Sequence, residues 1–125
     1  MRKKPLSGMV PVYSDWRTAI AMTTVRYSRS AKADLLGIGA YTLQNWGAAQ
    51  AERYLDSLEK CAKLLAANPS LGRRCAWIRP GLHRFEKGRH VFFYRWDGDG
   101  IFISRILHQS MLPEEQFFDD PAPDL

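Results

Sequence analysis

The sequence has little that would cross-link it or place it in a membrane. It contains only two cysteines, Cys61 and Cys75, in neither a CxxC nor a CxxxH arrangement, which excludes a disulfide framework and a common zinc site. Both thiols are expected to be free and partly buried in a reducing compartment. No apolar run approaches the roughly 18–20 residues of a membrane-spanning helix, so no membrane association is expected.

Familiar signatures of enzymes are also missing. The chain has no GxSxG, P-loop, GxGxxG or HExxH motif. The spacing of its three histidines, His83, His90 and His108, matches no common metal site. We therefore predict no metal and no cofactor, and we expect a histidine here to cap a strand end or to stack on Trp96.

What is present is ordinary for one globular domain. The 125 residues are 46% apolar and 25% charged, which excludes a wholly disordered chain and a collagen-like repeat. The basic start at residues 1–4 resembles the beginning of a signal peptide, but no apolar stretch of roughly 7–15 residues follows it. We expect a cytoplasmic protein.

The charge is distributed unevenly along the chain. Residues 114–125 hold five acidic residues and no Lys or Arg, whereas the first 113 residues hold 18 basic and 8 acidic ones. The net charge of +5 therefore combines a body of +10 with a tail of −5. Such a body favours an anionic partner, and the alternative is a basic protein that its charge keeps soluble.

The first half of the chain predicts a strand and two helices. Thr23–Ser28 alternates like a strand, and Ser30 is placed to cap a following helix with Asp34 in its first turn. This helix, which ends at Gly47, has one apolar stripe formed by Ala31, Leu35, Ile38, Thr42 and Trp46.

A second helix is predicted over Ala48–Ala67, and Asn68-Pro69 ends it. Acidic and basic residues four positions apart support it, as Asp56–Lys60 and Glu59–Lys63. The short link at Gly47 predicts an antiparallel hairpin. The buried stripe of this helix is expected to comprise Ala51, Leu55, Leu58, Ala62 and Leu65, with Tyr54 and Cys61 beside it.

After Pro69 the apolar period changes from that of a helix to that of a strand. Turns are predicted at Pro80-Gly81, as type II, at Lys87-Gly88 and at residues 97–100. One helical turn is expected within Pro113–Phe118. The strands predicted between these turns are Arg74–Arg79, Leu82–Phe85, Arg89–Trp96 and Ile101–Leu107.

The order of elements predicts an α+β fold: an N-terminal strand, then a helical hairpin packed on a three- to four-stranded, mainly antiparallel sheet. The predicted domain spans residues 23–118 and is followed by a flexible acidic tail, 119–125. Residues 1–22 are expected to form a poorly specified arm. The alternative is that the apolar residues of this arm pack on the domain as a short extra element, namely Val10, Val12, Tyr13, Trp16 and Ile20.

The strand-rich half has an excess of positive charge. Eight basic residues lie between Arg73 and Arg105 against three acidic ones, interleaved with aromatic residues such as Trp77 and Tyr94. Arginine binds phosphate or carboxylate through two hydrogen bonds and stacks on rings, so this region suits nucleic acid or an acidic protein. The alternative is a solvated sheet face whose arginine stems cover aromatic rings.

Several stretches between Val25 and Phe117, taken in order, resemble the ParE branch of the RelE/ParE toxins of type II toxin–antitoxin systems. They are Tyr27–Leu35, Tyr41-Thr42, Trp46-Gly47, Gln50–Tyr54, Asn68–Arg73, Ile78–Arg84, His90–Arg95 and Gly100–His108. The resemblance implies a small α+β plasmid-stabilisation toxin that inhibits DNA gyrase without being an enzyme. It also implies a hetero-oligomer with a ParD-like antitoxin, through which alone operator DNA is contacted.

The resemblance also implies candidate site residues. For the target we expect Arg79, Arg84, Arg95, Arg105 and His108. For the antitoxin we expect the outer helical faces near Tyr41, Trp46, Tyr54 and Leu58, and the sheet edge. The alternative is that these four residues lie in the core, and for Leu58 this alternative is the stronger one.

Two other functions stay open. The RelE branch cuts ribosome-bound mRNA with basic sheet residues and often a terminal Tyr or His. Residues 74–79 contain no lysine and residues 108–113 contain no tyrosine, so a nuclease would have to use Arg79, Arg84 and His108. The other alternative is an inactive module that only binds the antitoxin.

Overall fold

The computed structural model describes residues 24–97 and 100–119, so the predicted arm and most of the acidic tail lie outside the described residues. The described chain contains two long helices and a sheet, in agreement with the predicted α+β class. Its elements are β1 (Thr24–Tyr27), α1 (Arg29–Trp46), α2 (Ala48–Ala67), β2 (Arg73–Arg74), β3 (His83–Lys87), β4 (His90–Asp97) and β5 (Gly100–His108).

The sheet has five strands in the order β1-β5-β4-β3-β2. Strand β1 runs parallel to β5, and the other neighbours are antiparallel. The predicted N-terminal strand therefore joins the sheet at one edge, next to the last strand of the chain. The other edge is formed by the two residues of β2, Arg73 and Arg74.

Helix α1 begins earlier than predicted. Its N-cap is Ser28, whose Oγ accepts a hydrogen bond from the Ala31 N–H at 2.9 Å and donates one to the Ser104 carbonyl at 2.7 Å. Ser30, the predicted cap, lies inside the helix, and its Oγ contacts Asp119. With the start moved back by two residues, Asp34 lies beyond the first turn, so its predicted place there is wrong.

The two helices meet through the faces that the apolar stripes predicted, with one exception. Ala31, Ile38 and Thr42 of α1 are buried, but Trp46 is exposed, so its predicted place in the stripe is wrong. A Cβ at Gly39 would lie 3.1 Å from the side chain of Leu55, which shows how closely the helices approach there.

Helix α2 has the predicted bounds, and its stripe is buried apart from half-buried Leu55. The predicted surface pairs are present, with nitrogen–oxygen distances of 3.2 Å for Asp56–Lys60 and 3.6 Å for Glu59–Lys63.

The prediction of a strand over Arg74–Arg79 is wrong. Strand β2 ends at Arg74, and the Cys75 N–H donates to the Leu82 carbonyl at 2.9 Å, which closes residues 75–82 into a loop. The predicted turn at Pro80-Gly81 is present: the Leu82 N–H donates to the Arg79 carbonyl at 3.2 Å, and Gly81 has φ 80°, as a type II turn requires. Proline lacks the N–H that a strand ladder uses, and this favours the loop.

The turn predicted at Lys87-Gly88 lies one residue further along. Lys87 pairs with His90 across the hairpin, so Gly88 and Arg89 are the central residues. Gly88 has φ 62°, a value that the first central position of a tight hairpin requires and that glycine adopts without strain.

Each face of the sheet has its own apolar core, as the alternation in β4 predicts. Phe92 and Tyr94 lie on the face that α1 and α2 cover, whereas Val91 and Phe93 lie on the opposite face. The loop 75–82 and the C-terminal segment cover that second face. Here we call the two surfaces the helix face and the loop face.

The C-terminal segment returns across the loop face to the start of α1. Pro113–Glu115 forms a 3₁₀ turn, shorter than the helical turn predicted there. Phe118 is buried and packs edge-on against Phe93, with ring centroids 5.3 Å apart. Asp119 then accepts a hydrogen bond from the Ser30 N–H at 3.2 Å. Asp119 is therefore bonded to the start of α1, and the predicted domain bounds stay a prediction.

Candidate functional site

The loop formed by residues 75–82, which we call the Trp77 loop, carries an exposed tryptophan. The two ends of the loop, Cys75 and Leu82, are buried in the core of the loop face, and half-buried Ile78 packs against the same core. The Ile78 N–H donates to the Cys75 carbonyl at 3.0 Å. The loop is thus held at both ends and in the middle, yet the indole of Trp77 is 66% exposed.

Arginines surround this loop. Arg95 Nη1 donates to the Pro80 carbonyl at 2.6 Å, and the Arg84 guanidinium lies 5.6 Å from the centroid of the Phe93 ring. Glu86 lies among them, within 3.6 Å of Arg73 and 3.4 Å of Arg84. The region is rich in positive charge, carried by Arg73, Arg79, Arg84 and Arg95.

Three rings cluster on the helix face near the same end of the sheet. His83 lies against Trp96 with centroids 4.2 Å apart, which confirms the predicted stacking of a histidine on Trp96. Tyr94 is 5.9 Å from His83. The Tyr94 hydroxyl donates to the Pro69 carbonyl at 2.6 Å and accepts from the Gly72 N–H at 2.9 Å, so this ring fixes the start of β2.

The outer face of α1 is apolar. Leu36, which is 77% exposed, is followed by Ala40 four positions later and by Leu43 seven positions later. These spacings place all three residues on one side of the helix. Tyr41 and Trp46 are also exposed, Trp46 by 68%. Helix α1 is therefore apolar on both sides, and only one side is covered within the described residues.

Two histidines meet at the far end of β4 and β5. The Tyr54 hydroxyl accepts a hydrogen bond from the Arg89 N–H at 3.3 Å and shares a second one with His90 Nδ1 at 2.6 Å. The ring of His108 stands perpendicular to that of His90, with centroids 5.4 Å apart. Burial lowers the pKa of His90, and the charge of His108 lowers it further.

Comparison with known proteins identifies the family. The family model described as "ParE toxin of type II toxin-antitoxin system, parDE" matches residues 25–113. The chain belongs to the ParE toxin family.

Named relatives agree with this assignment. The chain is 45% identical to Toxin ParE1 of Mycobacterium tuberculosis (strain H37Rv) over 85 residues, which cover 67% of this chain and 87% of that protein. It is 42% identical to Toxin ParE1 of Caulobacter vibrioides over 90 residues, covering 72% and 93%. It is 35% identical to Toxin ParE of Escherichia coli over 91 residues, covering 72% and 88%.

A solved structure shares the fold. It is described as the chromosomal ParDE TA system from P. aeruginosa, and one of its chains superposes with a TM-score of 0.59 at 24% identity, covering 70% of this chain and 96% of that one.

Only some of the residues predicted to bind the target lie close together in the structure. Arg79, Arg84 and Arg95 lie at the Trp77 loop. Arg105 is not the exposed arginine that was expected, because its side chain is only 13% exposed and is bound to Asp34. His108 lies with His90 at the other end of β4.

The alternative nuclease set is not assembled in this toxin. Arg84 lies beside Phe93 on the loop face, whereas His108 contacts His90, whose partner Tyr54 belongs to α2 on the helix face. The sheet therefore separates the proposed phosphate-binding arginine from the proposed acid–base histidine. Among residues 24–97 and 100–119 there is also no group of three His, Cys, Asp or Glu side chains placed to hold a metal.

The predicted antitoxin set also divides. Tyr41 and Trp46 are exposed on α1, Tyr54 is half-buried against His90, and Leu58 is buried in the core. Leu58 is therefore not available as a contact residue. No helix within the described part of the chain is long and apolar enough to cross a membrane.

Leu36 and Leu43 were not among the predicted contact residues. Their spacing, with Ala40 between them, was a visible signal for a second apolar stripe on α1. Trp77 was predicted to lie in the basic, aromatic region, but on a strand instead of in a loop.

Proposed function

We propose that this ParE-family toxin inhibits DNA gyrase in the cytoplasm and is neutralised by a ParD-like antitoxin bound to the outer face of α1. The observation that carries the antitoxin part is the row of Leu36, Ala40 and Leu43, which no other described residue of the chain covers. Exposed apolar patches rimmed by polar residues mark protein interaction sites, and an amphipathic helix fits a row with this spacing. Operator DNA is contacted only through the antitoxin in the resulting hetero-oligomer.

The antitoxin surface is tested by two charge insertions. Leu36→Glu together with Leu43→Glu is expected to weaken binding of the antitoxin from the same operon at least 100-fold, because burying each leucine contributes about 1.5–3 kcal/mol. Isothermal titration calorimetry measures this affinity. The matched control is Leu64→Glu, an exposed leucine of α2, which is expected to leave the affinity unchanged. Equal losses from both changes would contradict the assignment to α1.

Gyrase inhibition is tested with purified components. The toxin is expected to block supercoiling and to accumulate cleaved DNA, and the bound antitoxin is expected to reverse both effects. Full supercoiling activity at a large molar excess of toxin would contradict the gyrase proposal.

The two alternatives give different results. A ribonuclease toxin would stop cell-free translation and cut the message, which primer extension detects. We expect an intact message, because the sheet separates Arg84 from His108. An inactive module would cause no growth defect when it is expressed without antitoxin, whereas we expect growth to stop.

A further inference from the structure

We propose that the Trp77 loop is the surface by which this toxin holds its protein target, with the indole entering an apolar pocket and the surrounding arginines facing acidic side chains. The inference rests on the proposed function, in which that target is gyrase. It assigns to the target a face that the antitoxin surface on α1 does not share.

The contacts of the Trp77 loop hold the indole of Trp77 exposed to solvent. Trp77 and Trp46 are exposed to almost the same extent, 66% and 68%, but they lie on different parts of the fold. Trp46 ends α1, whereas Trp77 is held up by buried Cys75 and Leu82 and by the hydrogen bond from Arg95 to Pro80. A rigid loop loses little conformational entropy when its tip is bound. Trp and Arg are also the residue types that contribute most at protein interfaces.

The charge around the loop indicates the chemistry of the partner. Arg79 lies in the Trp77 loop, Arg84 lies on the adjoining strand β3, and Arg95 bonds to the Pro80 carbonyl of the loop. Exposed Arg73, which pairs with Arg84, extends the charge to the edge strand β2. Glu86 lies within 3.6 Å of Arg73 and 3.4 Å of Arg84. Arginine forks match carboxylates, and a positive patch speeds encounter with an acidic surface.

The placement of the rings favours a protein over single-stranded nucleic acid. Nucleic-acid platforms use several rings in series along one basic groove. Here Trp77 belongs to the loop that covers the loop face, whereas Trp96 lies beside Tyr94 and His83 on the helix face. The sheet separates the two tryptophans, so they do not form one stacking surface. One exposed indole at a rigid tip instead resembles an anchor for a pocket.

The test compares two tryptophans of equal exposure. Trp77→Ala is expected to weaken binding to purified gyrase at least 30-fold, to abolish growth arrest in cells without antitoxin, and to leave antitoxin affinity within 2-fold of wild type. Trp46→Ala is expected to do the reverse, with weaker antitoxin binding and unchanged toxicity. A change of charge gives a second comparison: Arg73→Glu is expected to weaken gyrase binding at least 10-fold, and Arg53→Glu on α2 is expected to leave it unchanged.

Folding of the variants is checked independently. Cys75, at the base of the loop, is fully buried, so it should stay unreactive towards iodoacetamide in Trp77→Ala. Unchanged toxicity of a Trp77→Ala toxin with a protected Cys75 would overturn the inference. So would unchanged gyrase binding combined with weaker binding to a DNA oligonucleotide, since that result assigns the loop to nucleic acid.

The growth assay separates this inference from the proposed function. If the wild-type toxin arrests growth but does not inhibit gyrase, the gyrase proposal fails. The loop is then still judged by toxicity. Loss of growth arrest in Trp77→Ala, with antitoxin binding retained, supports it as the contact for another target, and retained growth arrest overturns it.

Discussion

Asp34 and Arg105 form a double hydrogen-bonded ion pair that ties α1 to the last strand of the sheet. Arg105 Nε donates to one carboxylate oxygen at 2.8 Å and Nη2 to the other at 2.9 Å. Asp34 also accepts the Ile106 N–H at 2.9 Å, and Arg105 Nη1 donates to the Phe117 carbonyl at 2.8 Å. The hydrogen bond that Arg105 donates to Asp34 raises the pKa of Arg105. This arginine therefore holds the fold together instead of facing a target.

Breaking this pair is expected to be costly. Asp34→Asn should lower the free energy of unfolding by about 3–5 kcal/mol, because it leaves the largely buried Arg105 charge without its partner. Urea denaturation measures the change. The control is Asp56→Asn, whose exposed pair with Lys60 is separated by 3.2 Å and should contribute only about 0.3–0.5 kcal/mol. Similar losses at both sites would show that Asp34 and Arg105 contribute no more than a surface pair.

The position of the helix cap is testable with two serines. Ser28→Ala should lower the free energy of unfolding by about 1–2 kcal/mol, since the buried hydroxyl both caps α1 and bonds to the Ser104 carbonyl. Ser30→Ala should cost about 0.5 kcal/mol, because its hydroxyl makes one part-buried bond, to Asp119. Thermal unfolding of the two variants decides which serine starts the helix. A larger cost at Ser30 would restore the cap that the sequence pattern predicted.

His90 should make stability depend on pH. Burial and His108 lower its pKa in the folded state, and Asp34 opposes the shift. Lys87 lies across the hairpin, and the Tyr54 hydroxyl shares a hydrogen bond with Nδ1 of His90. Below the unfolded value of about 6.5, the unfolded chain takes up a proton that folded His90 resists. Stability should therefore fall as pH drops below about 6.5, and this contribution should level off below the folded pKa.

The measurement is the urea midpoint between pH 5 and 7.5 for the wild type and for His90→Asn, which keeps an acceptor for Tyr54. The difference between the two proteins isolates His90 from other titrating groups. A wild-type advantage that grows as pH falls would contradict the lowered pKa.

The two cysteines should be unreactive in the folded protein. Burial raises the pKa of Cys61 to about 11 and also raises that of Cys75, so little thiolate is present at pH 8. Mass spectrometry after iodoacetamide treatment should find both thiols unmodified in buffer and both modified in urea. Rapid labelling of Cys75 alone in buffer would show that the Trp77 loop opens, and this would weaken its role as a rigid support.

The helices were predicted well from the local spacing of apolar and charged residues. The bounds of α2 and its surface ion pairs were predicted correctly, because a helix repeats every 3.6 residues and its pairs lie four positions apart. The turn at Pro80-Gly81 was also predictable, since proline presets φ and glycine accepts a positive φ. The strand over Arg74–Arg79 was wrong, because the hydrogen bond between Cys75 and Leu82 turns an alternating stretch into a loop.

The candidate site depends on contacts that no local pattern contains. Tyr41 and Trp46 were predicted as exposed antitoxin residues and are exposed, and their role there stays a prediction. Leu58 also lies in the middle of a helix, but its side chain is buried in the core. Which side of each helix meets the sheet is decided by packing.

The sequence by itself determined the α+β class, the helical hairpin, the alternation of β4 and the strong positive charge of the strand half, because each follows from residues within a few positions of one another. The tertiary structure decided how exposed each arginine is and where an exposed tryptophan lies. The Arg105 side chain is bound to the carboxylate of Asp34, 71 positions away, and is therefore largely buried. Trp77 is exposed in a loop whose two ends are buried in a core with Phe93 and Phe118. Such long-range contacts form only when the chain packs, so their effect on exposure appears only in the folded molecule.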